Sequence, residues 1–217
     1  MDTREQEKRV HELRVRVLEG LAMSHGFELK EWSSTSEELQ CLSEAARGCA
    51  ARRVGEIGFH LGLSSLAFLN THPDVTVVSF DLVEYGYVTL AKQYIDRRFP
   101  GRHTLIPGDS KQTVPQFRTD HPGAYFDLIF IDGGHDLHTA RTDIRNMSQF
   151  ATGGTLLIMD DIAPWCEWGE GPATAWAEAV AEGLIIQEGL YVDGKLVVRM
   201  DSPGKRSWAV GRYSASA

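Results

Sequence analysis

Between residues 53 and 183, short apolar runs alternate with stretches of helical periodicity, and an acid stands at or just past the end of almost every run. The runs are Arg53–Ile57, Val75–Asp81, His103–Ile106, Phe126–Asp132 and Thr155–Asp160; helices fit at 64–70, 86–99, 137–150 and 172–183. Strands separated by helices are joined by crossovers rather than hairpins, so the pattern demands a parallel sheet with helices on both faces. After residue 184 the alternation stops. Leu184–Val192, Lys195–Met200 and Ser207–Tyr213 read as strands with no helix between them, and Asp193-Gly194 is a hairpin signal, so the sheet should end in antiparallel strands.

The first strand runs into Glu56-Ile57-Gly58-Phe59-His60-Leu61-Gly62-Leu63-Ser64-Ser65. Gly58 and Gly62 permit a tight bend that a ligand can approach closely. Ser64 and Ser65 are placed to cap the helix that follows, whose positive end faces the same crevice. The spacing is not that of the dinucleotide G-x-G-x-x-G, which disfavours an NAD(P)-dependent oxidoreductase.

With 217 residues and 42% hydrophobic content the chain suffices for one sizeable core. The division expected is an N-terminal helical cap, 1–50, and a single compact unit, 51–217. Apolar residues at Val10, Leu13, Val17, Leu18 and Leu21 give a helix over 4–23. Ser36 should cap a second helix to about Ala50, with Lys30–Thr35 as the polar loop between them. These helices cover the cofactor, form a homodimer contact, or pack on the sheet. No apolar run is long enough for a membrane span, and the charged start, Met1-Asp2-Thr3-Arg4-Glu5, is not a secretory signal. Three cysteines without C-x-x-C spacing suit a reducing cytoplasm, and a net charge of −8 offers no surface for nucleic acid.

In open parallel sheets, ligands bind beyond the carboxyl ends of the strands, where Glu56, Asp81, Asp109, Asp132, Asp160 and Asp161 fall. Asp81, followed by Leu82, either accepts ribose hydroxyls or closes a turn; Asp109-Ser110 either meets an adenine amino group or caps a helix. Asp132, Asp160 and Asp161 would repel one another unless a cation neutralised them, and Mg²⁺ (or Mn²⁺) is the natural choice for oxygen ligands. The alternative is that they cap loops. His135 follows Asp132-Gly133-Gly134 and is suited to accept a proton beside such a site. Trp165 and Trp168, in the stretch 163–172, either stack on an acceptor or pack the loop, and Pro172 fits a first helical turn.

Together these residues resemble the class I S-adenosylmethionine-dependent methyltransferases from about residue 50 onward. The resemblance implies a Rossmann-like α/β fold with a mostly parallel seven-stranded sheet. Glu56 to Ser64 is similar to the glycine turn of catechol O-methyltransferases, and Phe126–Asp132 with Met159-Asp160-Asp161-Ile162 to their metal strands. Asp132-Gly133-Gly134-His135 with Asp160-Asp161 looks more like the metal-dependent sugar O-methyltransferases of macrolide pathways, in the small-molecule family numbered 24. The resemblance implies S-adenosylmethionine held by Glu56, Gly58, Gly62, Ser64, Ser65, Asp81, Leu82, Asp109, Ser110 and Asp132. It implies a metal on Asp132, Asp160 and Asp161, and His135 as the base. The expected reaction is methyl transfer to a hydroxyl of a small molecule, of sugar or natural-product type. A metal-independent methyltransferase and a non-catalytic nucleotide-binding subunit remain the alternatives.

Overall fold

The computed structural model describes residues 15–26, 34–201 and 203–214. Val10, Leu13 and residues 30–33 of the expected N-terminal helix and loop lie outside them. In chain order the elements are α1 (15–24), α2 (Ser36–Gly48), β1 (Arg53–Ile57), α3 (Leu63–Leu69), β2 (Thr76–Asp81), α4 (Gly86–Arg98), β3 (His103–Pro107) and α5 (Ser110–Asp120). They continue with β4 (Leu128–Ile131), α6 (Leu137–Ser148), β5 (Leu156–Asp160), α7 (Glu167–Ala181), β6 (Ile185–Val192), β7 (Lys195–Val197) and β8 (Ser207–Tyr213). Among the described residues one mixed sheet holds every strand, in the order β3-β2-β1-β4-β5-β8-β6-β7. Pairs among β1 to β5 are parallel, and those of β8, β6 and β7 antiparallel. The sheet has eight strands rather than seven, the last being the three-residue edge strand β7, which stops at Val197 instead of Met200.

β1 lies between β2 and β4, so the chain winds outward to β3 and then returns to the other side. That reversal opens a crevice beyond the carboxyl ends of β1 and β4. One apolar cluster joins α2, α3 and α4 to one face of the sheet; another joins α6 and α7 to the other. Leu18, Leu39, Leu42 and Ala46 belong to the first, so the helices before residue 50 share the core of the sheet. Burying each such leucine contributes roughly 2 kcal/mol, so the core depends on them. No helix among the described residues is long and apolar enough to cross a membrane.

Two local expectations change and a third gains its bounds. Thr35, not Ser36, caps α2, in a reciprocal box with Glu38. The helix that Asp109 could cap, given no range in the sequence, is α5, which follows β3 and contains Pro115. And α7 begins at Glu167, so Pro172 sits in its second turn rather than its first. Gly171 makes that start possible: a Cβ there would stand 2.2 Å from the His135 carbonyl oxygen, so only glycine lets α7 close on the loop after β4.

Candidate active site

Gly58 has a φ of 90°, and a Cβ on it would stand 1.9 Å from the Asp132 carbonyl oxygen. The Gly58 N–H donates to Phe80 and the Asp132 N–H to Ile57, at 2.8 and 2.9 Å, so the ends of β1, β2 and β4 are tied at one point. Gly62, with a φ of 70°, starts α3 without a side-chain cap.

The two serines expected to cap α3 do something else. Ser64 and Ser65 donate to the two Glu56 carboxylate oxygens at 2.5 Å each, and Ser79 donates to the same group. Ser79 also lies 2.9 Å from His103 Nε2. Its one proton is given to Glu56, so the His103 Nε2–H must be the donor to Ser79. Burial pushes His103 down to about 3, which leaves it neutral, and pushes Glu56 up to about 6 against the pull of the three hydroxyls. Glu56 and Ser65 are wholly buried, and Ser64 is nearly so. The hydroxyls of Ser64 and Ser65 and the Glu56 carboxylate are thus engaged with one another beneath the turn, where they fix its shape.

Asp81 faces the turn from β2. Its Oδ2 accepts the Phe59 and His60 N–H groups at 2.7 and 2.9 Å, and its Oδ1 accepts Val83 N–H at 2.6 Å. A carboxylate accepts about four hydrogen bonds, so capacity for a ribose hydroxyl remains beside the exposed Leu82. Asp109 caps α5 through the Lys111 N–H at 3.0 Å. Its neighbour Ser110 donates to Asp143 Oδ1 at 2.6 Å. Asp143, on the inner side of α6, was not singled out in the sequence; burial pushes it up to about 7.

The acids of β4 and β5 are arranged otherwise. Asp132 follows the end of β4, and Asp161 adopts a φ of 59°, a left-handed conformation that turns the chain immediately after β5. One ligand atom each from Asp132, His135 and Asp161 lies within 4.8 Å of the others, and His135 Nε2 stands 2.8 Å from Asp161 Oδ2. The trio expected was Asp132, Asp160 and Asp161. In the structure His135 takes the place of Asp160, whose carboxyl instead meets that of Glu38 from α2. Unless a proton lies between those two, Glu38 Oε1 and Asp160 Oδ1 have no hydrogen-bond partner, and neither does Asp161 Oδ1.

Burial, and then the neighbouring carboxylates, hold Asp132 and Asp160 well above the usual carboxylate range; burial raises Glu38 too. Arg206 approaches Asp161 Oδ1 at 3.8 Å. It is carried there because β8 pairs with β5 antiparallel, Trp208 opposite Asp160. Glu38 and Arg206 had no local signal, since one reads as a capping acid and the other as a residue before a strand. Among the described residues these four carboxyls face one arginine, which leaves a negative excess, and buried oxygens without donors are what an oxygen-coordinated dication requires. The residues present fit such an ion. Trp168, in the first turn of α7, lies 6.0 Å from His135 between ring centroids and borders this group. His60 is bonded to the Tyr87 hydroxyl at 2.5 Å, and His138 is exposed on α6.

Residues 56–162 match the model of a methyltransferase domain family. No curated protein matches the chain in sequence. Among solved structures, the chain is similar to the O-methyltransferase TomG from Streptomyces achromogenes, involved in tomaymycin synthesis and in complex with S-adenosylmethionine. The identity is 18% and the TM-score 0.71, with 99% of this chain and 100% of that one covered. It is similar also to an O-methyltransferase from Bacillus cereus in complex with S-adenosylhomocysteine, at 16% identity and TM-score 0.70, covering 95% and 90%. A third is CalS11, a TDP-rhamnose 3'-O-methyltransferase of calicheamicin biosynthesis, at 18% identity and TM-score 0.62, covering 80% and 77%. At such identities the likeness is one of fold.

Proposed function

We propose that the chain is a class I methyltransferase and that it transfers the methyl group of S-adenosylmethionine to a hydroxyl of a small molecule with the help of a divalent cation. The observation that carries this reading is the meeting of Asp132, His135 and Asp161 within 4.8 Å, where the Asp132 carbonyl touches Gly58. In this reading Gly58 and Gly62 let the methionine part of the donor approach the turn. Asp81 receives the ribose, and Asp109 with Ser110 meets the adenine amino group.

Asp132 and Asp161 would hold the cation, Mg²⁺ or Mn²⁺, with Asp160 behind them. When bound, such an ion acts as a Lewis acid that lowers the pKa of an acceptor hydroxyl. His135 receives the hydroxyl proton. Asp161, hydrogen-bonded to the imidazole, fixes its orientation and stabilises the imidazolium that forms. The oxygen then attacks the methyl carbon, the carbon–sulfur bond breaks, and neutral S-adenosylhomocysteine leaves. Trp168 offers the acceptor a ring face beside the base. A sugar or natural-product acceptor is supported by the names of TomG and CalS11.

The test is mass-spectrometric detection of methyl transfer to a panel of hydroxylated sugars and phenols, with and without EDTA. Transfer that EDTA stops and Mg²⁺ restores supports the proposal. Transfer that persists in EDTA removes the cation from it.

A further inference from the structure

Ser110 opens α5 and is only partly buried, while its partner Asp143 is wholly buried on α6. The pair is held in register by a second link between the same helices, from Lys111 Nζ to Thr139 Oγ1 at 3.1 Å. Asp143 Oδ1 takes the Ser110 hydroxyl hydrogen. Its other oxygen has no hydrogen-bond partner and lies under the loop after Asp132, where a Cβ on Gly133 would stand 2.8 Å from it. A serine has one proton and two lone pairs. Once the proton is committed inward, only lone pairs are offered to the crevice.

We infer that Asp143 sets the polarity of Ser110 so that the nucleoside subsite accepts an amino-purine and rejects an oxo-purine. The inference rests on the proposed function, which brings adenine to Ser110. Adenine presents amino hydrogens at position 6, which the serine oxygen can accept. Hypoxanthine presents an oxygen there, and two acceptors would face each other without a hydrogen. Asp143 is thus a positioning residue, which acts on the ligand only through Ser110. Burial raises Asp143 to about 7, so the carboxylate that can only accept is the form present on the alkaline side of that value, where the comparison is made.

The experiment is calorimetric titration of S-adenosylhomocysteine and of S-inosylhomocysteine into the wild type, Asp143→Leu and Ser110→Ala. The wild type should bind the adenine compound about 10-fold tighter, the scale of one mismatched buried hydrogen bond. Asp143→Leu removes the acceptor and frees the Ser110 hydroxyl to turn its hydrogen outward, so the ratio should collapse to about 3-fold or less. Ser110→Ala should collapse it equally, and it serves alone if Asp143→Leu does not fold. A wild type that binds both compounds equally, or either folded variant keeping the wild-type ratio, overturns the inference alone. A wild type that binds no S-adenosylhomocysteine overturns the proposed function as well.

Discussion

Two groups of buried carboxylates stand at the ends of adjacent strands, and they are solved in opposite ways. Below the turn after β1, Glu56 is wholly buried with both oxygens supplied by hydroxyls from Ser64, Ser65 and Ser79. At β4 and β5, Asp132, Asp160 and Asp161 gather with Glu38; among the described residues one arginine faces them, and Asp161 Oδ1 has no hydrogen-bond donor. A buried charge is tolerable only when it is paired, hydrogen-bonded or neutralised. The first group meets that requirement from its own neighbours and so reads as architecture. The second does not meet it from the described residues, and so reads as a site.

Removing the ion is the sharpest way to break this contrast. Dialysis against EDTA should abolish methyl transfer, by at least about 100-fold, because the acceptor hydroxyl then keeps its ordinary pKa. His135→Ala should lower turnover by about 10²- to 10⁴-fold with S-adenosylhomocysteine binding unchanged, the range of a lost general base. Near-wild-type turnover in that variant would assign the proton to another group. On the architectural side, Glu56→Ala strands three buried hydroxyls and should cost about 3 kcal/mol in urea unfolding. A cost below about 1 kcal/mol would mean that the network is dispensable.

The smallest effect concerns pH. The folded value of Glu56, about 6, stands above its ordinary 4.5, so the folded chain holds this proton more tightly than the unfolded one. The stability it contributes is present below pH 4.5 and is lost as the pH rises through 6, a change of about 2 kcal/mol. Glu56→Gln cannot lose it. Its unfolding free energy relative to the wild type should therefore improve by about that amount between pH 4.5 and 7, and a flat difference would show that Glu56 is not so perturbed.

The sequence was most readable where a local pattern decides the outcome. Apolar runs gave β1, β2 and β5 within a residue or so, and helical periodicity gave α6, whose Ala140, Ile144 and Met147 are buried. It was least readable where breakers interrupt a helix. Pro115 obscured the extent of α5. Two glycines with Pro172 hid the start of α7, because tertiary packing against the loop at His135 overrides their local preference. Asp132, His135 and Asp161 were legible from their place at strand ends. Glu38, Asp143 and Arg206 were not, since each reaches its partners from an element distant in the chain. The serines after Gly62 misled for a related reason: a hydroxyl at a helix start reads as a cap, and nothing local shows that Glu56 lies below it.

The most direct test is calorimetric titration of Mg²⁺ into the metal-stripped protein, with Asp161→Gly and Glu56→Gln alongside. Glycine tolerates the left-handed backbone at 161 and removes the oxygen ligand, so that variant should fold without the site. One ion should bind per chain in the wild type and in Glu56→Gln, and none measurably in Asp161→Gly. Binding that survives Asp161→Gly, or no binding in the wild type, would contradict the reading of the β4–β5 acids as a metal centre.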